Sequence, residues 1–237
     1  MPSSSNNPEF VTSVASPNKT GQITPQQAFL LLEGEQGVAR WEPRFDPISE
    51  LIYTILSQHT SDVNALKAYH SLQEALGSWE RVAQANPEEI AQAIWIGGLS
   101  RVKAPRIGAV LQAIQEECGK LDISFLKEMP LPQAKAWLRR LPGVGPKTAA
   151  IVLCFALGMS AMPVDTHVYR VSKRLEIIPS RATTEQAHDL LEAAVAPEQV
   201  FAFHVYLITH GRRVCKARRP LCQGCVLRES CPSAFRV

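Results

Sequence analysis

Cysteine is nearly missing from the first 214 residues, where only Cys118 and Cys154 occur. Nothing in the body of the chain therefore suggests a disulfide framework. Long apolar runs are missing too. The longest, Ala149 to Leu157, has nine residues and is too short to cross a bilayer. No charged-then-apolar signal segment opens the chain, and its first residues lack the arginines of an organelle transit peptide. These absences predict an intracellular, cytoplasmic protein with no membrane partner. Alternating strand patterns and a repeat of fixed period are also lacking, which leaves neither an all-β class nor a solenoid. Residues 1–20, rich in Ser, Asn and Pro, lack the apolar density to fold and read as a disordered tail.

The chain has 237 residues, 46% of them hydrophobic and with a net charge of +3, enough for one large core or two small ones. The charge is unevenly spread. From Lys135 to Arg181 lie Lys135, Arg139, Arg140, Lys147, Arg170, Lys173, Arg174 and Arg181 against only Asp165 and Glu176. Arg212 to Arg219 adds five bases and no acid. A basic half suggests a polyanion partner; a solvated charged face is the plain alternative.

Helical periodicity dominates. In "PISELIYTILSQ" Ile48, Leu51, Ile52, Ile55 and Leu56 keep the spacing of one helical face, with Pro47 near the start. Further helices are predicted at Asp62–Leu76, Pro87–Trp95, Lys103–Cys118, Gln133–Arg140, Pro146–Leu157, Thr166–Leu175, Thr184–Ala194 and Gln199–His210. "ISFLKE" is ambiguous. The class is all-α, with short loops marked by Gly or Pro.

Between two of these helices stands "LPGVGPK". Gly143 and Gly145 can turn sharply and let a partner approach closely, and Pro146 suits the first position of the next helix. The pattern reads as a helix-hairpin-helix. The free N–H groups of the second helix's first turn, with its dipole, suit repeated phosphates; a bare αα-turn is the alternative. Lys147 follows at the second helical position, where the helix dipole disfavours an ammonium and so favours a nucleophilic amine. A simple phosphate contact would need the same residue. Asp165 precedes "THVYRVSKRL", a helix with Val168, Val171 and Leu175 on one face. It can be an N-cap, a catalytic carboxylate, or both. Cys154 reads as a core side chain. Cys215, Cys222, Cys225 and Cys231 fall within seventeen residues and suggest a metal or iron–sulfur site, zinc being the competing ion.

Taken together, these motifs resemble the endonuclease III family of DNA repair glycosylases, within the helix-hairpin-helix superfamily. "LPGVGPKTA" and "VDTHVYRV" resemble its two catalytic motifs, "LSQHTSD" and "GGLSRVKA" its DNA-facing loops, and "HGRRVC" the run into the first cysteine. The resemblance covers roughly residues 25–231. It implies a bilobed fold: a six-helix barrel over residues 46–159, and a cluster domain joining 21–45 to 160–237. It also implies a [4Fe–4S] cluster on the four C-terminal cysteines, and double-stranded damaged DNA bound across the cleft with one nucleotide flipped out. By position, Lys147 would attack C1′ and Asp165 would assist it. Gly143, Val144, Gly145 and Thr148 would grip phosphates through the hairpin. Lys216, Arg218 and Arg219 would contact phosphates from the cysteine loop. His59 would fill the space left by the flipped base, and Leu99 would wedge between bases. The implied activity is that of a glycosylase and abasic-site lyase acting as a monomer, associated with the nucleoid if the source is bacterial.

Two positions depart from the best-known members: His59 replaces a common Gln, and Gly97 a larger apolar residue. Both bear on lesion range and on preference for the opposite base. His167 and His210 read as packing or capping residues. A monofunctional mismatch or adenine glycosylase and a non-enzymatic DNA-binding protein are the rival readings. The chain's end six residues after Cys231 counts against an adenine enzyme with a further recognition domain.

Overall fold

The computed structural model describes residues 23–236, so the tail expected at 1–20 lies outside the described residues. Within them the chain is helical throughout, with no strand. The helices are α1 (Pro25–Gln36), α2 (Pro47–Ser57), α3 (Asp62–Leu76), α4 (Trp79–Gln84), α5 (Pro87–Ala93), α6 (Ser100–Cys118), α7 (Leu131–Arg139), α8 (Pro146–Ile151), α9 (Thr166–Arg174), α10 (Thr184–Ala194) and α11 (Val200–Arg213). Short polar side chains start most of them. Thr24, Asp46, Ser61, Asn86, Asp165 and Thr183 each accept a first-turn N–H, which satisfies donors the helix cannot.

Four helices differ from the sequence pattern. The helix expected from Lys103 begins a turn earlier, at Ser100, and Pro105 sits inside it. A proline suits a first turn, so the pattern pointed to the later start. The helix expected over Pro146–Leu157 is α-helical only to Ile151 and widens to a π turn over Val152–Ala156. There the Cys154 carbonyl accepts a hydrogen bond from Trp41 Nε1 at 2.8 Å. Helices α1 and α4 carry no clear apolar periodicity, because "FLLL" is apolar on every side and "WERVAQ" is barely longer than one turn. "SFLKE" is a 3-10 turn.

Two apolar cores form. One runs from Ile48 on α2 to Ala161 and fills the space among α2 to α8. The other gathers Phe29 and Leu32 of α1 with Val168 and Val171 of α9, Leu191 of α10, and Phe203 and Tyr206 of α11. Cys154 already belongs to the second core and is 1% exposed. The two sides are tied by ion pairs. Lys135 on α7 reaches Asp189 and Glu192 on α10, each at 2.9 Å. Arg139 meets Glu185 at 2.7 Å, and Arg212 on α11 meets Asp62 on α3 at 2.9 Å.

Helices α9 and α11 touch most closely at Gly211. A Cβ there would lie 2.9 Å from His167 Cβ and 3.3 Å from Val171 Cγ2. Gly211→Ala should therefore force the helices apart and lower stability by about 1–3 kcal/mol. A fall in the urea midpoint with an unchanged slope is the expected reading; an unchanged midpoint would contradict this packing.

Candidate active site and nucleic-acid interface

The hairpin joins α7 to α8. Gly143 takes φ +74°, a left-handed conformation that glycine accepts without strain. Gly145 has φ −90°, so it needs no special backbone freedom. Nothing lies within 4 Å of the position its Cβ would take, so a partner can come close. Val144 and Thr148 are buried, at 6% and 5% exposure. The Val144 N–H is spent on Leu141 O at 3.2 Å. What faces outward is backbone: no side chain caps α8, so the N–H groups of Lys147 and Thr148 remain for an anion.

Lys147 is exposed just past this turn. Asp165 begins α9 on the other core, and its Oδ1 accepts from His167 N at 2.8 Å and Val168 N at 2.7 Å. Both bonds use the same oxygen, which leaves Oδ2 uncommitted. Lys147 and Asp165 line one open cleft of about 520 Å³, together with His167, Glu185, His188 and Arg212. Of these, His188 and Glu185 carried no sequence signal, since α10 reads as an ordinary amphipathic helix. His188 Nδ1 lies 2.8 Å from Met162 O, and burial holds its pKa below the usual value. His167 sits against the Arg170 guanidinium.

His59 and Leu99 are both exposed, and both hold left-handed backbones, at φ +53° and +51°. Such angles are uncommon outside glycine. Gly97 is buried against α3, where a Cβ would lie 2.9 Å from Ala68 Cβ. Its lack of a side chain therefore reflects close packing beneath the loop. Lys216, Arg218 and Arg219 are exposed on the cysteine loop.

The basic half needs correction as a polyanion footprint. Arg170 Nη2 donates to Gly211 O at 2.8 Å and to Cys215 O at 3.0 Å. Arg174 donates to Lys216 O at 2.7 Å, Ala217 O at 3.1 Å and Cys215 Sγ at 3.3 Å. Lys135 and Arg139 are in the ion pairs above, and Arg140 pairs with Glu117. Charge counting could not see these partners, because they lie far away in sequence.

Cys215, Cys222, Cys225 and Cys231 line one small cavity of about 30 Å³. Among the described residues, no three Cys, His, Asp or Glu side chains gather tightly enough for a single ion. Burial pushes the Cys225 thiol up to about 11 and raises Cys231 as well. Bare thiolates are thus disfavoured there, and a bound metal would supply the compensating charge. Buried His210 bridges toward Cys225 Sγ, 3.6 Å from Nε2, and Glu35, 3.7 Å from Nδ1.

An all-helical, two-core fold with a glycine hairpin beside a Lys–Asp cleft defines a class, that of helix-hairpin-helix base excision proteins. The model of the HhH-GPD superfamily of base excision DNA repair proteins matches residues 52–197. Endonuclease III of Thermotoga maritima is 36% identical over 186 residues, covering 78% of this chain and 83% of that protein. Endonuclease III of Escherichia coli is 32% identical over 185 residues, with 78% and 83% covered. A solved structure of a trapped endonuclease III–DNA covalent intermediate aligns with TM-score 0.75 and 29% identity, over 91% of this chain and 99% of that one. The chain belongs to the endonuclease III family of this superfamily. No helix among the described residues is long and apolar enough to cross a membrane.

His204, beneath the cleft, hydrogen-bonds Pro163 O through Nδ1 at 2.9 Å. Burial lowers its pKa from 6.5 to about 4, while nearby Asp165 opposes the shift. Between those values the unfolded chain takes up a proton that the folded chain refuses. Folding stability should therefore fall with decreasing pH from about 6.5 to 4, by at most about 1.4 kcal/mol per pH unit for one proton. His204→Gln should flatten that slope in urea melts across the same range, whereas an unchanged slope would assign it to other groups.

Proposed function

We propose that this chain is a bifunctional DNA glycosylase and abasic-site lyase of base excision repair, acting on oxidised pyrimidines in double-stranded DNA. The observation that carries the reading is the cleft shared by Lys147 and Asp165, one from each core. The exposed amine of Lys147 attacks C1′ of a flipped nucleotide. The C1′–N bond breaks and the base leaves with the bonding pair; the attached amine gives up a proton, the C1′–O4′ bond opens with O4′ taking a proton to become a hydroxyl, and C1′ is left as a Schiff base on Lys147. Asp165, fixed through Oδ1, keeps Oδ2 to accept a proton from the amine or to stabilise positive charge on the sugar. Loss of the C2′ proton then expels the 3′ phosphate by β-elimination. Hairpin N–H groups and the bases Lys216, Arg218 and Arg219 hold the backbone, while His59 and Leu99 enter the gap. The two cores serve as the lobes 46–159 and 21–45 with 160–237. One chain supplies every group, so a monomer suffices.

Borohydride trapping on a duplex with one abasic site tests this. Wild type should form a covalent adduct and Lys147→Gln none. An adduct that persists in the variant removes Lys147 from the chemistry. Absence of an adduct with folded wild type favours a monofunctional glycosylase.

The four cysteines fit a [4Fe–4S] cluster, being thiol donors spread around one void. Cys215, Cys222, Cys225 and Cys231 would hold it, and it would staple the loop that carries Lys216, Arg218 and Arg219. Purified protein should be brown, with broad visible absorption and about four irons per chain. Colourless protein holding one zinc would refute the assignment.

A further inference from the structure

Lys103 is 2% exposed, yet no carboxylate is bonded to it. Its ammonium donates to two backbone carbonyls, Leu56 O at 2.7 Å and Gly97 O at 2.9 Å. Burial alone lowers its pKa. The residue also lies in the first turn of α6, where the helix dipole opposes a cation. An apolar side chain of similar length would fill this space without either cost. The two partners explain why a lysine suits the position.

Leu56 O lies in the last turn of α2, where carbonyls lack intrahelical donors and the dipole welcomes a cation. His59 follows three residues later. Gly97 O ends the short 3-10 turn Trp95–Gly97, and Leu99 follows two residues later. One ammonium thus ties together the roots of two separate loops, 47 and 6 residues from itself in sequence. Both loops carry an exposed non-glycine residue in the left-handed region. The Gly97 turn is held from its other side as well, by contact with Ala68 of α3.

We propose that Lys103 is a positioning residue that locks the His59 and Leu99 loops into one rigid unit, so that both enter the duplex together. This role rests on the glycosylase reading above. Lys103 touches no DNA; it acts through the two loops. Its loss should impair extrusion of a stacked nucleotide and leave chemistry on an already unstacked one intact.

The test compares full-length wild type with Lys103→Met under single turnover. One substrate carries an oxidised pyrimidine paired within a duplex, and the other carries it in an unpaired bulge. Excision from the paired site should fall about ten-fold or more, since small misplacements carry penalties of that order. Excision from the bulge should be nearly unchanged. A double variant with Leu99→Ala should be no slower on the paired site than Leu99→Ala alone, because both changes remove one device. Equal loss on both substrates, full additivity, or no loss at all would overturn the proposal. If Lys103→Met does not fold, hydrogen exchange on wild type decides. Amides at 58–60 and 97–99 opening at one common rate support the lock, and independent rates overturn it. A wild type that excises neither substrate overturns the glycosylase reading, and the exchange experiment still judges the lock on its own.

Discussion

The cap that Asp165 places on α9 is the contact from which the rest of the site is set out. Its Oδ1 closes the first turn through two short bonds, worth about 1 kcal/mol as an ordinary N-cap. Its larger effect is geometric. Because Oδ1 is anchored to the backbone, the carboxylate is held at the cleft wall with Oδ2 outside those two bonds. From that fixed start the helix runs away from the cleft for nine residues. One and two turns on, it presents Arg170 and Arg174 to the carbonyls of the cysteine loop. A single helix therefore joins the proposed catalytic carboxylate to the cysteine loop. It is seated closely on α11 at Gly211, against His167 and Val171.

That arrangement changes the meaning of the positive charge. Two guanidinium groups that look like a DNA-binding stripe are turned inward, each satisfying several carbonyls. A backbone carbonyl loop without side-chain donors would leave those acceptors to water, and the loop would have little to hold its shape. Arginine suits the task because its planar fork serves several acceptors from one position. By binding inside, Arg174 leaves Lys216, Arg218 and Arg219 free on the outer side of the same loop. The outward charge is thus smaller than the count suggests, and better placed. Lys135 and Arg139 are likewise engaged in ion pairs with α10 across the two cores.

The hairpin and the helix cap were legible in the sequence because they are local. Hairpin glycines, a lysine at the second helical position and an N-capping aspartate each announce themselves within a few residues. So do most helices, and α3 and α10 match the periodic pattern end to end. What could not be read depends on partners distant in sequence. The helix expected from Lys103 starts at Ser100, because Leu99 turns the chain into it. Gly97 looked like a change to the DNA-facing surface, but the structure shows a helix beneath it at contact distance. The cleft's His188 is invisible for a similar reason: it follows the periodicity of α10 and differs from a core residue only in what it faces.

A wedge works only if it is stiffer than the stack it enters. Leu99 offers one apolar side chain at the end of a three-residue turn, an element with few hydrogen bonds of its own. Left to itself, such a turn would relax from φ +51° toward the ordinary helical or extended regions, which cost less for any residue with a Cβ. The loop of His59 has the same weakness. In the proposed role neither loop can be stiffened from outside, since that surface would meet DNA. Stiffness has to come from beneath, by packing on Ala68 and by hydrogen bonds to the carbonyls just before each strained residue. A buried ammonium suits that place because it offers three donors on a long stem and can reach two loops at once. The cost of burying it is borne by the barrel core, which is large enough to tolerate an unpaired cation. What the core gives up in stability appears at the surface as a fixed shape.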